Sequence, residues 1–554
     1  MPDGRVYQAV ADAFYEEGVR TVFGLTGDGN MHWEAALSAK PGVRSIHVRH
    51  EHAACAMATA YAVATGEVGV ASVTCGPGLT QLSTALATAV QARVPLVVFC
   101  GEDPIDASWY NQRIDHGAVV NATGAIYLPA RSPRLAVHHV LEAFLTARSR
   151  SLPVVLTMPL DMQQKPAAQG AVAYVPSRSI APKTGPRYPH PDAVKAAAER
   201  IRTARRVVLV AGRGAKAAGA VEACKRLAEL CDGALSVSLP VRGLFNGHPR
   251  DIGVSGGFAH EAAREAFGEA DLIVAVGTSL TQHTSDLNLL FRPDQVIQID
   301  ADPPVMKHGQ VTATHHLTAD ARLAVEALCA ELGNGQARAS DWDVEAYSRR
   351  VHSEPPDSTE YAVAPGVFDP RDVAAALSAH APKTWAHVGS AGHCAYFATH
   401  LYGREADNFL TIREFGAIGN GLSYAMGRWA ARPDQPVMLT EGDGGFLMHI
   451  QELETVVRHG MKILICIFND GAFGSEIHKL RADGVSDDGA IFGFGDLAGI
   501  ARGFGLDGHV IGDLDEIPEL AAAFEAGNRS ALWDFRVSDQ VMAPTMRRAV
   551  GNRR

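Results

Sequence analysis

The chain has 554 residues, enough for about three or four domains, and its 47% hydrophobic and 20% charged content is that of an ordinary soluble globular protein. A formal net charge of −11 excludes the basic surface that a nucleic-acid binder shows. No apolar run approaches the roughly 20 residues of a membrane helix, the first residues carry acids rather than an apolar signal core, and eight cysteines without a CxxC pair read as the reduced thiols of a cytoplasmic protein.

Strand and helix alternate along the whole chain, which predicts doubly wound parallel sheets. In a first domain, residues 1–180, an amphipathic helix over 6–17 precedes a strand over 21–25. That strand runs into TGDGN (26–30), which places Asp28 at a strand end. A strand over 44–48 leads to His50, Glu51 and His52 and then to an alanine-rich helix. Read alone, Glu51 is a helix-start glutamate favoured by the helix dipole. A strand over 68–73 ends in TCGPG (74–78), and one over 95–100 ends in GEDP. Residues 104–124 read as a loop in which Gln112, Asp115 and His116 gather polar groups. Residues 166–189, rich in Pro, Ala, Gln and Ser, read as a linker.

A second, Rossmann-like domain covers 191–332. RRVVLVAGRGAKAAGA (205–220) is a strand, a glycine turn and a helix start, followed by strands over 234–239, 272–276 and 296–299. GxG after a strand hints at a dinucleotide site, although the third glycine is out of place. A polar connector over 333–366 leads to the third domain, 367–554. Its strand over 385–388 ends in GSAGH (389–393), either a simple turn or a backbone cradle for a diphosphate.

The stretch 437–473 reads strand, helix, strand. An apolar run reaches Gly442, Asp443, Gly444 and Gly445, and Phe446, Ile450, Leu453 and Val457 then recur at helical spacing. A near-continuous apolar run over 461–468 has the pattern of a strand buried on both faces. A right-handed crossover makes the two strands parallel, so Asp443 and Asp470, one after each strand, converge at one sheet edge. Two such carboxylates beside glycines suit Mg2+ shared with a phosphate; the plain alternative is a helix-capping Asp and a turn Asp. Glu476 follows on a helix. The basic tail MRRAVGNRR is either a flap over the site or a frayed terminus.

Four blocks, in this order, resemble the thiamine diphosphate-dependent enzymes of the acetolactate synthase and pyruvate decarboxylase kind: RHEHAACAMATAYAVATGEVGVASVTCGPG, REFGAIGNGLSYAMG, GDGGF with MHIQELETVVR, and IFNDGAFG. The resemblance implies three α/β domains with doubly wound parallel sheets: pyrimidine-binding, central and diphosphate-binding. It implies thiamine diphosphate and Mg2+, the metal held by Asp443, Asp470 and the carbonyl of Ala472. The second ligand is more often Asn in the family; Asp470 keeps the oxygen and adds a charge. By the same resemblance Glu51 hydrogen-bonds the cofactor's aminopyrimidine and helps its amino group generate the ylid, a role suited to a carboxyl in an apolar pocket. Ile418 is the wedge that holds the cofactor bent. Gly389, Ser390, His393, Gly442, Gly444, Gly445 and Phe473 become cofactor-binding residues, and Asp28, Gln112, His116 and Glu476 fall on the substrate side. The family keeps its central domain with or without FAD. The run that marks FAD in acetolactate synthases is replaced here by GTSLTQHTSD, so FAD is the less expected case.

The implied reaction is attack on the carbonyl of a 2-oxo acid followed by loss of CO2, with the cofactor as electron sink. The enamine is then protonated to an aldehyde or ligated to a second carbonyl compound. Asp28 and Glu476 favour protonation, Gln112 ligation. Thiamine-dependent C–C cleavage of a diketone is the alternative. A non-catalytic homologue is disfavoured because Glu51, Asp443 and Asp470 are all present, and a GxG nucleotide module explains the middle domain alone. The family's glutamate reaches the diphosphate-binding domain of another subunit, so a homodimer is the expected minimum and a homotetramer a common form.

Overall fold

The computed structural model describes residues 4–167, 173–182, 185–303, 306–307, 309–333 and 341–551. Its main strands form three six-stranded sheets, each parallel throughout. The N-terminal sheet has the order Arg44–His47, Thr21–Gly24, Gly69–Val73, Leu96–Glu102, Pro153–Pro159, Ile126–Pro129. The C-terminal sheet repeats that order with Phe409–Leu410, Ala386–Gly389, Val437–Gly442, Ile463–Asn469, Ala531–Arg536, Asp507–Val510. The central sheet runs His315–Thr318, Val296–Asp300, Leu272–Val276, Val207–Ala211, Ala234–Val237, Asp251–Val254, the doubly wound order of dinucleotide folds.

The inner strands carry apolar residues on both faces because helices cover both faces. Every residue of Leu96–Glu102, Pro153–Pro159 and Ile463–Asn469 is buried. One continuous apolar core joins the N- and C-terminal domains. Its centre is the contact of helix Glu51–Thr65 with helix Gly421–Ala431. Both are rich in small residues and buried almost all round, the pattern of a core helix with no solvent face. Gly427 is required at their crossing: a Cβ there would overlap the Met57 carbonyl oxygen.

In open α/β sheets the crevice lies beyond the carboxyl ends of the strands, where the strand order reverses. In the N-terminal sheet that point falls between Thr21–Gly24 and Gly69–Val73, which lead into TGDGN and TCGPG. In the C-terminal sheet it falls between Ala386–Gly389 and Val437–Gly442, which lead into GSAGH and GDGG.

Four expectations are corrected. The single helix after Gly445 is broken into Asp443–Met448, a 3-10 turn Ile450–Glu452, and Leu453–Arg458, because Glu452 turns inward to accept the backbone N–H of Arg49. The loop over 104–124 ends in a helix, His116–Thr123, capped by Asp115, whose carboxylate accepts the Ala118 N–H at 2.9 Å. Within the connector 333–366, Val344–Ser353 is helical; residues 334–340 lie outside the described residues. The described part of the tail is a docked helix, Pro544–Gly551; residues 552–554 lie outside the described residues. Arg547 pairs at 2.7 Å with Asp357, whose side chain is fully buried, and Arg548 pairs at 2.9 Å with Asp286. Within the linker 166–189, Ser177 and Tyr174 both hydrogen-bond the buried Glu17, which ties that part to the N-terminal domain; residues 168–172 and 183–184 are outside the described residues.

Candidate active site

The two carboxylates after the crossover strands do converge. Val437–Gly442 and Ile463–Asn469 pair in parallel with Gly442 opposite Phe468. Asp443 begins a helix and Asp470 begins the next turn, and the two carboxyls are close enough to shift each other's titration. Asp443 is 1% exposed, and its Oδ2 has no hydrogen-bond partner. Burial pushes both carboxyls above the usual range, and the Asp443 charge pushes Asp470 further. A buried pair of this kind is costly as two anions and is relieved by a shared proton or by a cation. Asn469 does not face the pair: its amide holds Asp534 and the Phe494 carbonyl, and its oxygen accepts the Gly471 N–H, which fixes the turn. Gly474 leaves room for Asp470, and a Cβ on Gly444 would stand 2.7 Å from the Phe473 ring.

Three further loops close on this pair. In 389–393, Ser390 donates to Glu441 Oε1 at 2.9 Å. Glu441 also accepts the Gly421 N–H at 3.2 Å, and burial pushes its carboxyl up to about 7. His393 Nε2 accepts the Ala543 N–H at 3.0 Å, while burial and the neighbouring His478 hold it down to about 3, hence neutral. Ile418 faces this loop, its Cγ2 lying 3.8 Å from where a Gly392 Cβ would stand. The backbone N of Gly419 lies against Gly445. Thus Gly389, Ser390, His393, Ile418, Gly442, Gly444, Gly445, Phe473, Asp443, Asp470 and Ala472 gather at one end of the C-terminal sheet.

Glu51 begins helix Glu51–Thr65. Its neighbours are fixed to the C-terminal domain of the same chain: Arg49 pairs with Glu454 at 2.6 Å, and His52 Nε2 bonds Asn420 Oδ1 at 2.5 Å and stacks on His449. Desolvation lowers the His52 pKa. The half-buried Glu51 carboxylate itself makes no hydrogen bond or ion pair with any described residue.

Asp28, Gln112 and His116 meet around TCGPG. Gln112 Oε1 accepts from the Cys75 thiol at 3.0 Å and from the Tyr110 hydroxyl at 3.4 Å, and its backbone carbonyl presses on Gly76, whose φ of 55° bends the chain away. Asp28 is exposed on the neighbouring turn. His116 is 2% exposed, accepts the Gly76 N–H at Nε2 and faces the Ile114 carbonyl with Nδ1. Both ring nitrogens are engaged by the backbone, so His116 holds this loop in place. Glu476 lies on the other domain, exposed and paired with Lys479 at 3.2 Å.

Glu102, Asp103 and His116 place ligand atoms within 4.8 Å of one another. Glu102 is nevertheless spent on Arg131, Tyr127 and Thr157, so the group holds an ion pair rather than a metal. The central-domain glycines are also accounted for: Gly212 and Gly214 pack on the backbone of Gly277, where a Cβ on either would crowd the neighbouring strand end. Sequence reasoning missed Glu441, whose signal was an acid inside an apolar strand, and Cys75 and Tyr110, which carried no signal of their own.

Comparison with known proteins supplies the family. The model for the N-terminal TPP-binding domain of thiamine pyrophosphate enzymes matches residues 4–119, that for the central domain 194–328, and that for the C-terminal TPP-binding domain 390–535. A protein of Pseudomonas aeruginosa named probable 2-ketoarginine decarboxylase is 29% identical over 93% of this chain and 91% of its own. The acetolactate synthase large subunit of Parasynechococcus marenigrum is 30% identical over 94% of this chain and 85% of its own. An acetolactate synthase of Mycobacterium avium is 30% identical over 84% of this chain and 76% of its own. With all three domain models matched in order over the three sheets, the chain belongs to the thiamine pyrophosphate-dependent enzymes.

Proposed function

We propose that the enzyme uses thiamine diphosphate with Mg2+ to decarboxylate a 2-oxo acid, releasing an aldehyde or joining the remaining carbon unit to a second carbonyl compound. The observation that carries this reading is the buried carboxylate pair. Asp443 keeps an oxygen without a partner and Asp470 stands against it, a hard-oxygen donor set that fits Mg2+ shared with a phosphate. Asp443, Asp470 and the Ala472 carbonyl would hold the ion. The loops 389–393 and 442–445 would take the diphosphate. Thiamine diphosphate supplies a nucleophilic carbon and an electron sink for loss of CO2.

The chain's own residues do the rest. Ile418 fills the space against loop 389–393 and orients what binds there. The Glu51 carboxyl, without a hydrogen-bond or ion-pair partner among the described residues, would hold and return the proton of the aminopyrimidine. Gln112, pinned by Cys75 and Tyr110, offers its amide to a substrate oxygen. The name of the first relative supports decarboxylation and those of the other two support ligation.

A homodimer is the smallest working unit in this reading, with one copy's Glu51 serving the other's cleft, and a homotetramer pairs two such dimers. Exposed Phe415, Leu447, Met448 and Phe492 beside the cleft support a docking copy. All eight cysteines are free and buried, which suits a reducing, cytoplasmic setting. No helix among the described residues is long and apolar enough to cross a membrane.

The test is an NMR time course with thiamine diphosphate, Mg2+ and a panel of 2-oxo acids, run beside Glu51→Gln. Consumption of an acid by the wild type alone supports the reading, and the product separates aldehyde release from ligation. Bound cofactor with no acid consumed rejects decarboxylation for that panel and brings C–C cleavage of a diketone forward.

A further inference from the structure

Arg413 is a buried cation with no anion paired to its side chain among the described residues. It lies in the loop between strand Phe409–Leu410 and Ile418, at the same end of the C-terminal sheet as the carboxylate pair. Its Nε and Nη1 are buried and have no hydrogen-bond partner, and its side chain forms no ion pair with a described residue. The nearest acid, its neighbour Glu414, is taken by Arg213 at 3.3 Å and by the backbone N–H of Arg413 itself at 2.8 Å. The guanidinium carbon sits 5.4 Å from the Phe258 ring of the central domain, a contact that holds the plane but accepts no hydrogen bond.

The other buried arginines nearby differ. Arg242 donates to the Ala398 and Thr399 carbonyls and faces His387, Arg404 donates to the Ala381 and Pro382 carbonyls, and Arg428 donates to Gln435 and the Asp407 carbonyl. Of these four, only the Arg413 side chain has no acceptor among the described residues. A buried charge is normally paired or hydrogen-bonded. Burial holds Arg413 down to about 10, so it stays charged at neutral pH.

Its position says where the missing acceptor belongs. Nη2 lies 3.2 Å from where a Cβ on Gly389 would stand, so the glycine that opens loop 389–393 also makes room for the guanidinium. The Cys394 thiol at the end of that loop lies within electrostatic reach of Arg413 and of Glu441, Asp443 and Asp470. The cleft therefore has an acidic wall, which suits a metal, and one cationic residue near the same loop.

We infer that Arg413 is an oxyanion-binding residue of this cleft, taking a phosphoryl or carboxylate group on its free N–H donors. The inference rests on the cofactor reading only for which of the two it takes: the cofactor's diphosphate or the carboxylate of an acidic substrate. Guanidinium suits either through paired N–H donors.

The test uses the full chain as wild type, Arg413→Met and Arg413→Lys. Calorimetric titration measures affinity for inorganic pyrophosphate with Mg2+, for thiamine diphosphate with Mg2+, and for oxamate, an unreactive 2-oxo acid analogue. Loss of the charge-assisted contacts weakens one ligand by about 10- to 100-fold in Arg413→Met, with part of the loss restored by Lys. A loss for both pyrophosphate and thiamine diphosphate assigns the phosphoryl group; a loss for oxamate alone assigns the carboxylate. Unchanged affinity for all three in Arg413→Met overturns the inference. If Arg413→Met does not fold, the same titrations on Arg413→Lys decide, since a compact ammonium cannot reproduce the fork; there too, no loss overturns it. A wild type that binds pyrophosphate but not thiamine diphosphate rejects the proposed function and leaves the Arg413 result standing.

Discussion

Replacing Asp470 by Asn stabilises the metal-free protein and weakens its response to Mg2+. Asp443 and Asp470 are both buried and interact; burial raises both carboxyls, and the Asp443 charge raises Asp470 further. Two unit charges about 4 Å apart repel by about 4 kcal/mol at an effective dielectric of 20. A proton on one of the two relieves part of this, so removing one charge gains about 2–4 kcal/mol at pH 7.5. In a domain of this size that raises the thermal midpoint by roughly 5–15 °C. The pH dependence has a definite sign. A carboxyl whose folded pKa lies above its unfolded value near 3.8 holds more protons folded than unfolded. The wild type in EDTA therefore loses stability as pH rises from about 4 through the raised values, and Asp470→Asn loses less. Saturating Mg2+ reverses the effect in the wild type, adding about 2.7 kcal/mol at a concentration of one hundred times Kd. The mutant keeps an oxygen ligand but one charge fewer, so it binds Mg2+ more weakly. The assay is thermal unfolding from pH 5 to 8, in EDTA and with Mg2+. An Asp470→Asn midpoint equal to or below the wild type in EDTA at pH 7.5, with no Mg2+ effect on either protein, refutes the reasoning.

Other perturbations test separate parts of the structure. Glu51→Gln lowers turnover by about 10²- to 10⁴-fold, the range for a lost proton-transfer group, while circular dichroism and melting stay at wild-type values because the carboxylate has no protein partner to lose; a loss of fold would contradict this. Arg547→Ala leaves the fully buried Asp357 carboxylate with the Thr359 N–H at 3.3 Å and a longer 3.7 Å contact to Arg371 as its remaining cationic partner. Because Arg547 is itself 30% exposed, the cost is about 2 kcal/mol rather than that of a fully buried pair, and limited proteolysis should release the C-terminal helix first. Gly427→Ala forces a methyl group against the Met57 carbonyl and should cost about 1–3 kcal/mol, read as a lower urea midpoint; an unchanged midpoint means that the two helices move apart freely.

The fold and the convergence of Asp443 with Asp470 were legible because both follow from short-range pattern. Two apolar runs joined by one helix must lie parallel, and residues just past their ends must share an edge, so Asp443 and Asp470 could be placed from spacing alone. What was not legible depended on contacts between distant segments. Nothing in the sequence said that Gly76, forty residues before His116, would donate its N–H to that ring. Glu441 hid inside a strand, and only the register with Ala386–Gly389 brings it to Ser390. The basic tail looked frayed because its partners, Asp357 and Asp286, are far away in sequence. Helical spacing after Gly445 was real, but a buried Glu452 reaching across to Arg49 broke the helix that the spacing implied.

The repeated strand order bears on the proposal that two copies build the site. The N- and C-terminal sheets share one order, so each has a crevice at the equivalent reversal point, and the chemistry-bearing turns lie at both. The C-terminal crevice holds carboxylates, glycine turns and Arg413, but no described residue there is a free general acid or base with open access: Glu441 is bonded to Ser390, His393 is bonded to Ala543, and Glu476 faces solvent with Lys479. The N-terminal domain supplies the complement, with an unpartnered Glu51, an exposed Asp28 and a pinned Gln112. Within one chain, the residues on either side of Glu51 are already committed to Asn420, His449 and Glu454. A single chain therefore has each half of the chemistry, and its Glu51 carboxylate meets no partner in its own C-terminal domain. A second copy related by a twofold axis would bring each N-terminal crevice over the other's C-terminal crevice at one symmetric interface. That arrangement predicts that a mixture of Glu51→Gln and Asp443→Asn proteins, each inactive alone, regains about a quarter of wild-type activity after subunits exchange. Half of the randomly formed dimers are then mixed, and each mixed dimer holds one intact site. Activity that stays at zero despite proven exchange would place both residues in the same chain's site.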